Sequence, residues 1–198
     1  MQFEAHLAWA ARRAEAREAG SSPSWRARSV TAIVHELEAS EHHPAIEQTP
    51  PPDPGRPAGA RFGTLVHVVL GECSLGADRD ELERLAEMLA RTLEAPGEEV
   101  SAAVEVAQAA LAHPVFDRAR AAEEVRREVP VTVPLDDGSS AEGVIDLVFL
   151  EAGRWVVVDF KTDRARLDKP WYREQLAIYR RAVHAATRKP VDTVLFYL

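Results

Sequence analysis

The run from Gly143 to Asp163, GVIDLVFLEAGRWVVVDFKTD, restricts the fold of this chain more than any other stretch. Two apolar segments flank Glu151-Ala152-Gly153-Arg154, which predicts two strands, about 141–150 and 155–161, joined by a tight turn. Side chains alternate across a strand, so Asp159, Lys161 and Val157 share one face while Val156, Val158 and Phe160 take the other. The same rule groups Val144, Asp146 and Val148 against Ile145, Leu147 and Phe149. Both strands are apolar on both faces, the mark of central, covered strands. Asp146, Asp159 and Lys161 therefore stand where apolar side chains are the rule. An isolated ionised carboxylate in such a place is strongly disfavoured unless it is paired or bound to a cation. Two readings compete on this spacing: a buried Asp–Lys ion pair at a sheet edge, or a cation site. A hard cation such as Mg²⁺ is held by one or two carboxylates together with water and phosphate. A lysine two residues from such a carboxylate reaches the phosphate or the attacking water.

The remaining segments arrange themselves around this hairpin. Residues 3–19 read as a helix ending at Gly20, and a short helix follows from about Thr31 to Ser40, capped by Ser29 or Thr31. Six prolines between His42 and Arg61 predict an exposed linker. Helices are predicted over 61–70 (stripe Phe62, Val66, Val69, Leu70), 78–94 (stripe Leu82, Leu85, Leu89, Leu93), 97–112 and 114–122. A strand begins near Glu128, where Val129, Val131 and Val133 alternate with Pro130, Thr132 and Pro134, an edge-strand pattern. After the hairpin comes an amphipathic helix over 170–188 and a last strand over 193–198. The expected organisation is an N-terminal helical arm or linker (1–41), a Pro-rich linker (42–60) and a domain (61–198). That domain has a helical part over 61–122 and a β-β-β-α-β core over 128–198. The fold class is α/β, a mixed central sheet flanked by helices.

Composition narrows the function. The single cysteine, Cys73, excludes an internal disulfide and a four-cysteine iron–sulfur cluster and reads as a small core residue. No apolar run approaches the roughly 20 residues of a membrane helix and no secretory signal is visible, so a cytoplasmic location is expected. A net charge of −8 argues against coating nucleic acid by bulk electrostatics. Yet Arg164 to Lys189 holds eight Lys/Arg against two acids, a pattern suited to local phosphate contact or to a solvated helix face.

Gly143-Val-Ile-Asp146-Leu-Val followed by Val158-Asp159-Phe160-Lys161-Thr162-Asp163 resembles the catalytic core of the PD-(D/E)xK nuclease superfamily, with its restriction-endonuclease-like fold. More narrowly, the chain is similar to the RecB/AddA-type nuclease domain fused to bacterial recombination helicases. Gly63-Thr-Leu-Val-His67 matches that family's Gly-x-x-x-His helix, Gln175-Leu-Ala-Ile-Tyr179 its Gln-x-x-x-Tyr helix, and Arg126-Arg127-Glu128-Val129-Pro130 approximates its Arg-x-Glu-x-Pro run. The resemblance covers roughly 60–198. It implies His67, Asp146, Asp159 and the Phe160 carbonyl as ligands of Mg²⁺ or Mn²⁺, and Asp146, Asp159 and Lys161 as catalytic residues. It further implies that Gln175 and Tyr179 contact DNA or support the site, and Arg164 and Arg173 of the basic stretch are expected to do the same. Thr162 and Asp163 are expected to shape the strand exit, and Trp171 and Tyr172 to pack rather than stack on bases. The implied activity is metal-dependent hydrolysis of DNA phosphodiesters, as an exonuclease on single-stranded ends beside or fused to a helicase. The alternative is a catalytically silent DNA-binding or scaffold domain. No phosphate loop is present, so any motor is supplied from elsewhere.

Overall fold

The computed structural model describes residues 2–21, 26–35, 42–163 and 169–198. At its centre strand β4 (Ser140–Glu151) turns through Ala152-Gly153, both at positive φ, into β5 (Arg154–Lys161). The two pair antiparallel from Leu147↔Val158 to Glu151↔Arg154. The opposite edge of β4 carries β3 (Glu124–Pro134), antiparallel from Glu124↔Leu150 to Pro134↔Ser140. Helix α7 (Pro170–Thr187) leads to β6 (Val191–Tyr197), which lies parallel to β5. Two short strands complete the sheet in parallel: β1 (Ala27–Ser29) on β4, and β2 (Ala45–Gln48) on β6. The six strands run β1-β4-β5-β6-β2, with β3 on β4.

One detail of this topology positions the site. Ser140 pairs with both β1 and β3, and Leu150 with both β3 and β5, so β1 and β5 occupy the same edge of β4 in succession. Residues 143–146 lie between them without a ladder partner on that edge. The sheet forks there, and Asp146 stands in the fork.

Helices cover both faces. Helices α3 (Ala60–Glu72), α4 (Arg79–Leu93), α5 (Gly97–Leu111) and α6 (Pro114–Ala121) pack as a layer on one. Phe62, Val66, Val69 and Phe116 of that layer meet Leu147, Phe149, Val158 and Phe160 of the sheet. On the other face α2 (Val30–Ile33) and α7 set Val30, Leu176, Tyr179 and Val183 against Ile145, Val148, Val157 and Leu195. Fully burying each large apolar side chain contributes roughly 1.5–3 kcal/mol, which is what holds both layers to the sheet. The ends are specified locally: Asp78 caps α4 by accepting from the Glu81 N–H, and Pro114 and Pro170 occupy the first turns of α6 and α7. A bidentate Arg61–Glu99 bridge fastens the start of α3 to α5. Helix α1 (Gln2–Ser21) has no buried residue from Phe3 to Ser21.

Four expectations need correction. The segment 42–60 is not an exposed linker: β2 extends the sheet, Thr49 N donates to Tyr197 O, and Arg56 is buried. Pro44 and Pro50 flank just enough residues for a four-residue edge ladder, where missing N–H groups matter least. Strand β3 starts at Glu124 rather than near Glu128, because its charged first half lies on an outer edge where Arg126 pairs with Glu124. In α4 the buried line is Leu82, Ala86 and Ala90, with Leu85, Leu89 and Leu93 packed beside it. Strict alternation fails in β4, where Ile145 faces α7 while Leu147 and Phe149 face the α3–α6 layer. The cause lies opposite: Glu128 has a left-handed φ of 50°, and the ladder passes from Arg127↔Leu147 to Val129↔Ile145 without a 128–146 pair. Of the helix expected over Thr31–Ser40, α2 is the described part, capped by Ser29, and residues 36–40 lie outside the described residues.

Candidate active site

The fork in the sheet gathers side chains from four elements. Asp146 from β4 uses both oxygens: Oδ2 accepts from the Phe160 N–H at 2.6 Å, and Oδ1 lies 2.9 Å from His67 Nδ1. The Phe160 amide faces the open edge of β5, so the Asp146 carboxylate takes the place of the missing ladder carbonyl. His67 reaches the fork because α3 docks through Phe62, Leu65, Val66, Val69 and Leu70, one helix face away. Gly63 permits that approach: a Cβ there would stand 3.0 Å from Thr162 Oγ1 at the exit of β5. Burial works against the charged form of His67, yet the charge and hydrogen bond of Asp146, helped by Asp159, raise its pKa above the ordinary histidine value.

Asp159 is 2% exposed, and its Oδ2 sits 2.6 Å from Lys161 Nζ but accepts no hydrogen bond among the described residues. Burial pushes its pKa up to about 6, with the Asp146 charge adding to the rise and Lys161 opposing it. Lys161 is also desolvated, but the Asp159 carboxylate overrides that and raises its pKa, so the ammonium keeps its proton. Its Nζ donates to Gln175 Oε1 at 3.0 Å and lies 4.5 Å from the centre of the Tyr172 ring. Gln175 in turn donates to the Tyr179 hydroxyl at 3.0 Å. Burial pushes Tyr179 up to about 12, so it is a neutral phenol. The chain Asp159–Lys161–Gln175–Tyr179 thus runs from the carboxylate into α7.

Tyr179 ends that chain on β4. A Cβ on Gly143 would fall 2.8 Å from both the Tyr179 ring and its hydroxyl, so only glycine admits the tyrosine there. At the exit of β5, Asp163 accepts from the Tyr172 hydroxyl and from Lys169 Nζ (3.1 Å), fixing the first turn of α7. Trp171 packs against the His35 ring at 4.8 Å, and Trp171 and Tyr172, both half-buried, pack against the core on the α7 face. Cys73 is a buried core residue.

The sequence-derived residues divide clearly. His67, Asp146, Asp159, Lys161, Gln175 and Tyr179 are brought into one connected cluster. Arg173 is placed beside His43, with Nη1 at 3.3 Å from Nδ1. Arg164 lies outside the described residues. Glu128, quoted only as part of a motif, faces the site: burial and the Asp146 charge raise its pKa, and its side chain rests against Gly71 of α3. Its left-handed backbone, the one signal that aims it, is invisible in a strand-like sequence. Arg127 beside it donates to Leu70 O and Cys73 O, closing the end of α3. A cavity of about 820 Å³, lined by Gly59, Gly63, Thr64, His67, Glu128 and Thr162 among others, opens in front of the histidine.

This donor set fits a hard divalent cation. The Asp146 charge adds to burial in raising the proton affinity of Asp159, and Asp159 Oδ2, in ion contact with Lys161 Nζ at 2.6 Å, accepts no other hydrogen bond among the described residues. Among the described residues no three His, Cys, Asp or Glu side chains close as a preformed cage. They are engaged in pairs instead, His67 with Asp146 and Asp159 with Lys161.

Comparison with known proteins agrees with this geometry. The family model of the PD-(D/E)XK nuclease superfamily matches residues 33–198. An ATP-dependent helicase/nuclease subunit from Geobacillus thermodenitrificans is 33% identical over 169 residues, covering 70% of this chain and 13% of that protein. Its namesake from Acetivibrio thermocellus is 28% identical over 160 residues, with the same coverage. That from Alkaliphilus oremlandii is 26% identical over 193 residues, covering 84% of this chain and 16% of its own. The chain therefore spans about a seventh of the length of these relatives.

Proposed function

Because this chain belongs to the PD-(D/E)XK nuclease superfamily, we propose that it is a divalent-metal-dependent deoxyribonuclease. It hydrolyses DNA phosphodiesters as an exonuclease on single-stranded ends. It works in the cytoplasm with a helicase, in cis or in trans, during double-strand break processing. The relatives are named as helicase/nuclease subunits, which supports the partnership, and no helix among the described residues is long and apolar enough to cross a membrane. The observation that carries the reading is that Asp146, bonded to the Phe160 N–H, and Asp159, in ion contact with Lys161, lie near enough at the fork for the charge of Asp146 to act on Asp159.

Asp146, Asp159, His67 and the Phe160 carbonyl would hold Mg²⁺ or Mn²⁺. Such an ion supplies positive charge to a phosphate oxygen and lowers the pKa of a bound water. The protein's own groups do the rest. Asp146 is held in orientation by the Phe160 N–H and His67. Lys161, cationic and aimed by Gln175, offsets negative charge that builds on the phosphoryl oxygens as water adds to phosphorus and the bond to the leaving oxygen breaks. Tyr179 locks Gln175, so the position of the lysine is set by α7 rather than by its own flexible stem.

A catalytically silent DNA-binding or scaffold domain is the second reading, favoured by one observation: the acids are engaged in pairs and, among the described residues, not closed round a common point. Digestion of linear single- and double-stranded DNA, with Mg²⁺ and with EDTA, separates the two. The nuclease reading expects cutting only with metal and its loss in Asp159→Ala and Lys161→Ala. Cutting that survives EDTA or both substitutions overturns the mechanism, and binding without cutting selects the silent domain.

A further inference from the structure

Remote from the fork, the C-terminal half of α7 and the starts of β5 and β6 enclose a second cavity of about 420 Å³. Its charged lining is entirely basic: Arg154, Arg180, Arg181, His184 and Arg188, closed off by Pro190 and Val191. Arg154 Nη1 is 3.3 Å from Asp192 and Arg180 Nε donates to Val191 O at 3.1 Å, contacts that anchor both side chains through a single nitrogen each. His184 Nδ1 donates to Lys189 O at 2.8 Å, which leaves Nε2 for another partner. The Arg181 and Arg188 guanidinium groups make no hydrogen bond or ion pair among the described residues. Four arginines gather in one concavity of a chain of net charge −8, and among the described residues Asp192 is the acid in ion-pair contact with one of them.

The chemistry that suits this cluster is a phosphate. A guanidinium presents a planar fork that matches two phosphate oxygens at once, and a nucleic-acid strand offers such groups at regular intervals. Helix α7 joins the two places. Gln175, which aims Lys161, lies on its N-terminal half, and at about 1.5 Å of rise per residue Arg188 is about 20 Å further along the axis. The geometry points to this cavity as a second phosphate site, gripping the sugar-phosphate backbone of a DNA strand about 20 Å from the phosphodiester at Lys161, or about six nucleotides of helical rise. The inference rests on the nuclease reading and deepens it: the site fixes how much strand the domain holds behind the cut. An acidic protein surface is the other occupant a basic cavity can take. DNA is favoured because α7 links the two places: Gln175, bonded to Lys161, lies on it, as do Arg180, Arg181 and His184 of the cavity.

The test uses the whole chain and fluorescein-labelled single-stranded oligonucleotides of about 4 to about 20 nucleotides, titrated in EDTA and followed by anisotropy. Wild type gains affinity with length until the strand reaches the cavity. In Arg181→Ala/Arg188→Ala that length-dependent gain falls on the order of tenfold. The slope of log K against log salt falls by about 1.4, at about 0.7 for each single-strand phosphate that is no longer neutralised. Matching thermal melts for the two proteins establish that the variant folds. Identical length dependence and salt slope in variant and wild type overturn the phosphate site and leave the cavity as a protein-facing surface. A parallel Mg²⁺ digestion keeps the two failures apart. Wild type that cuts while the variant binds as wild type does sinks only the cavity, whereas wild type that neither binds nor cuts sinks the nuclease reading as well.

Discussion

Gly143 shows how much of the site depends on one missing side chain. Alanine there puts a methyl group 2.8 Å from the Tyr179 ring and hydroxyl and 3.1 Å from Val30, against groups that are themselves buried. Overpacking of this kind costs about 1–3 kcal/mol, so Gly143→Ala should lower the denaturant midpoint by that equivalent. It should also weaken cleavage, because displacing Tyr179 frees Gln175 and with it Lys161. A variant with wild-type midpoint and activity would show that Tyr179 does not need the glycine. Asp159 and His67 give the second residue-scale expectation. Both have folded-state pKa values above the unfolded ones, Asp159 at about 6. The folded chain thus binds protons more tightly, and the stability these groups contribute is complete at low pH and lost as pH rises through their folded values. In EDTA the melting temperature should therefore fall between about pH 5 and pH 8 on their account, a trend that Asp159→Asn flattens. Mn²⁺ competes with the same protons, so its stabilising shift should be larger at pH 8 than at pH 5. A metal effect independent of pH would remove these acids from the metal site. Asp146, Asp159 and Lys161 were legible in the sequence because charges in doubly apolar strands demand explanation. Their facing was less so: the left-handed Glu128 shifts the alternation of β4, and nothing in Arg126-Arg127-Glu128-Val129 announces that turn of the backbone.

Among the elements, the hairpin and the helices α3 to α7 follow from periodicity, caps and proline placement, and their predicted bounds lie close to the observed ones. The two short parallel strands were beyond reach for a physical reason. Three residues in β1 and four in β2 carry no periodicity of their own, and each pairs with a partner more than a hundred positions away. Their role is nevertheless direct. β1 occupies the edge of β4 up to Glu142, and so creates the fork in which Asp146 stands. β2 continues into a proline run whose Arg56 donates to Leu198 O (3.0 Å) and Thr162 O (2.9 Å), the residue after Lys161. Charge-assisted hydrogen bonds of this kind contribute about 1.5–3 kcal/mol each. Arg56→Ala should then destabilise the chain by about 3 kcal/mol or more, read as a fall in the urea midpoint, although the position lies in a segment that looks like a linker. A change within about 0.5 kcal/mol, typical of an exposed site, would return 42–60 to linker status.

At the scale of the molecule, the family match and the packing agree on where the cooperative unit begins. The match starts at residue 33, and the described residues just before it, from Arg26 onward, are tied in by β1 pairing with β4 and by the buried Val30. Helix α1 behaves differently. It leaves Phe3 73%, Leu7 52% and Trp9 49% exposed, and its aromatic contacts lie within the helix, with Arg13 over the Trp9 ring and His6 stacked beside it. A helix of twenty residues standing alone draws only on propensity and local pairs, and such helices are marginal in water. Removing residues 1–21 should therefore leave the midpoint of the cooperative transition within about 0.5 kcal/mol of the full chain. The far-UV signal at 222 nm should lose no more than the share of those twenty residues. Equilibrium urea denaturation of the two chains, followed by tryptophan fluorescence and circular dichroism together, decides the matter. Trp155 and Trp171 report on the sheet and α7 in both, whereas Trp9 is present only in the longer. A drop of several kcal/mol on truncation would mean that α1 packs on the body in solution, and that Phe3, Leu7 and Trp9 belong to its core.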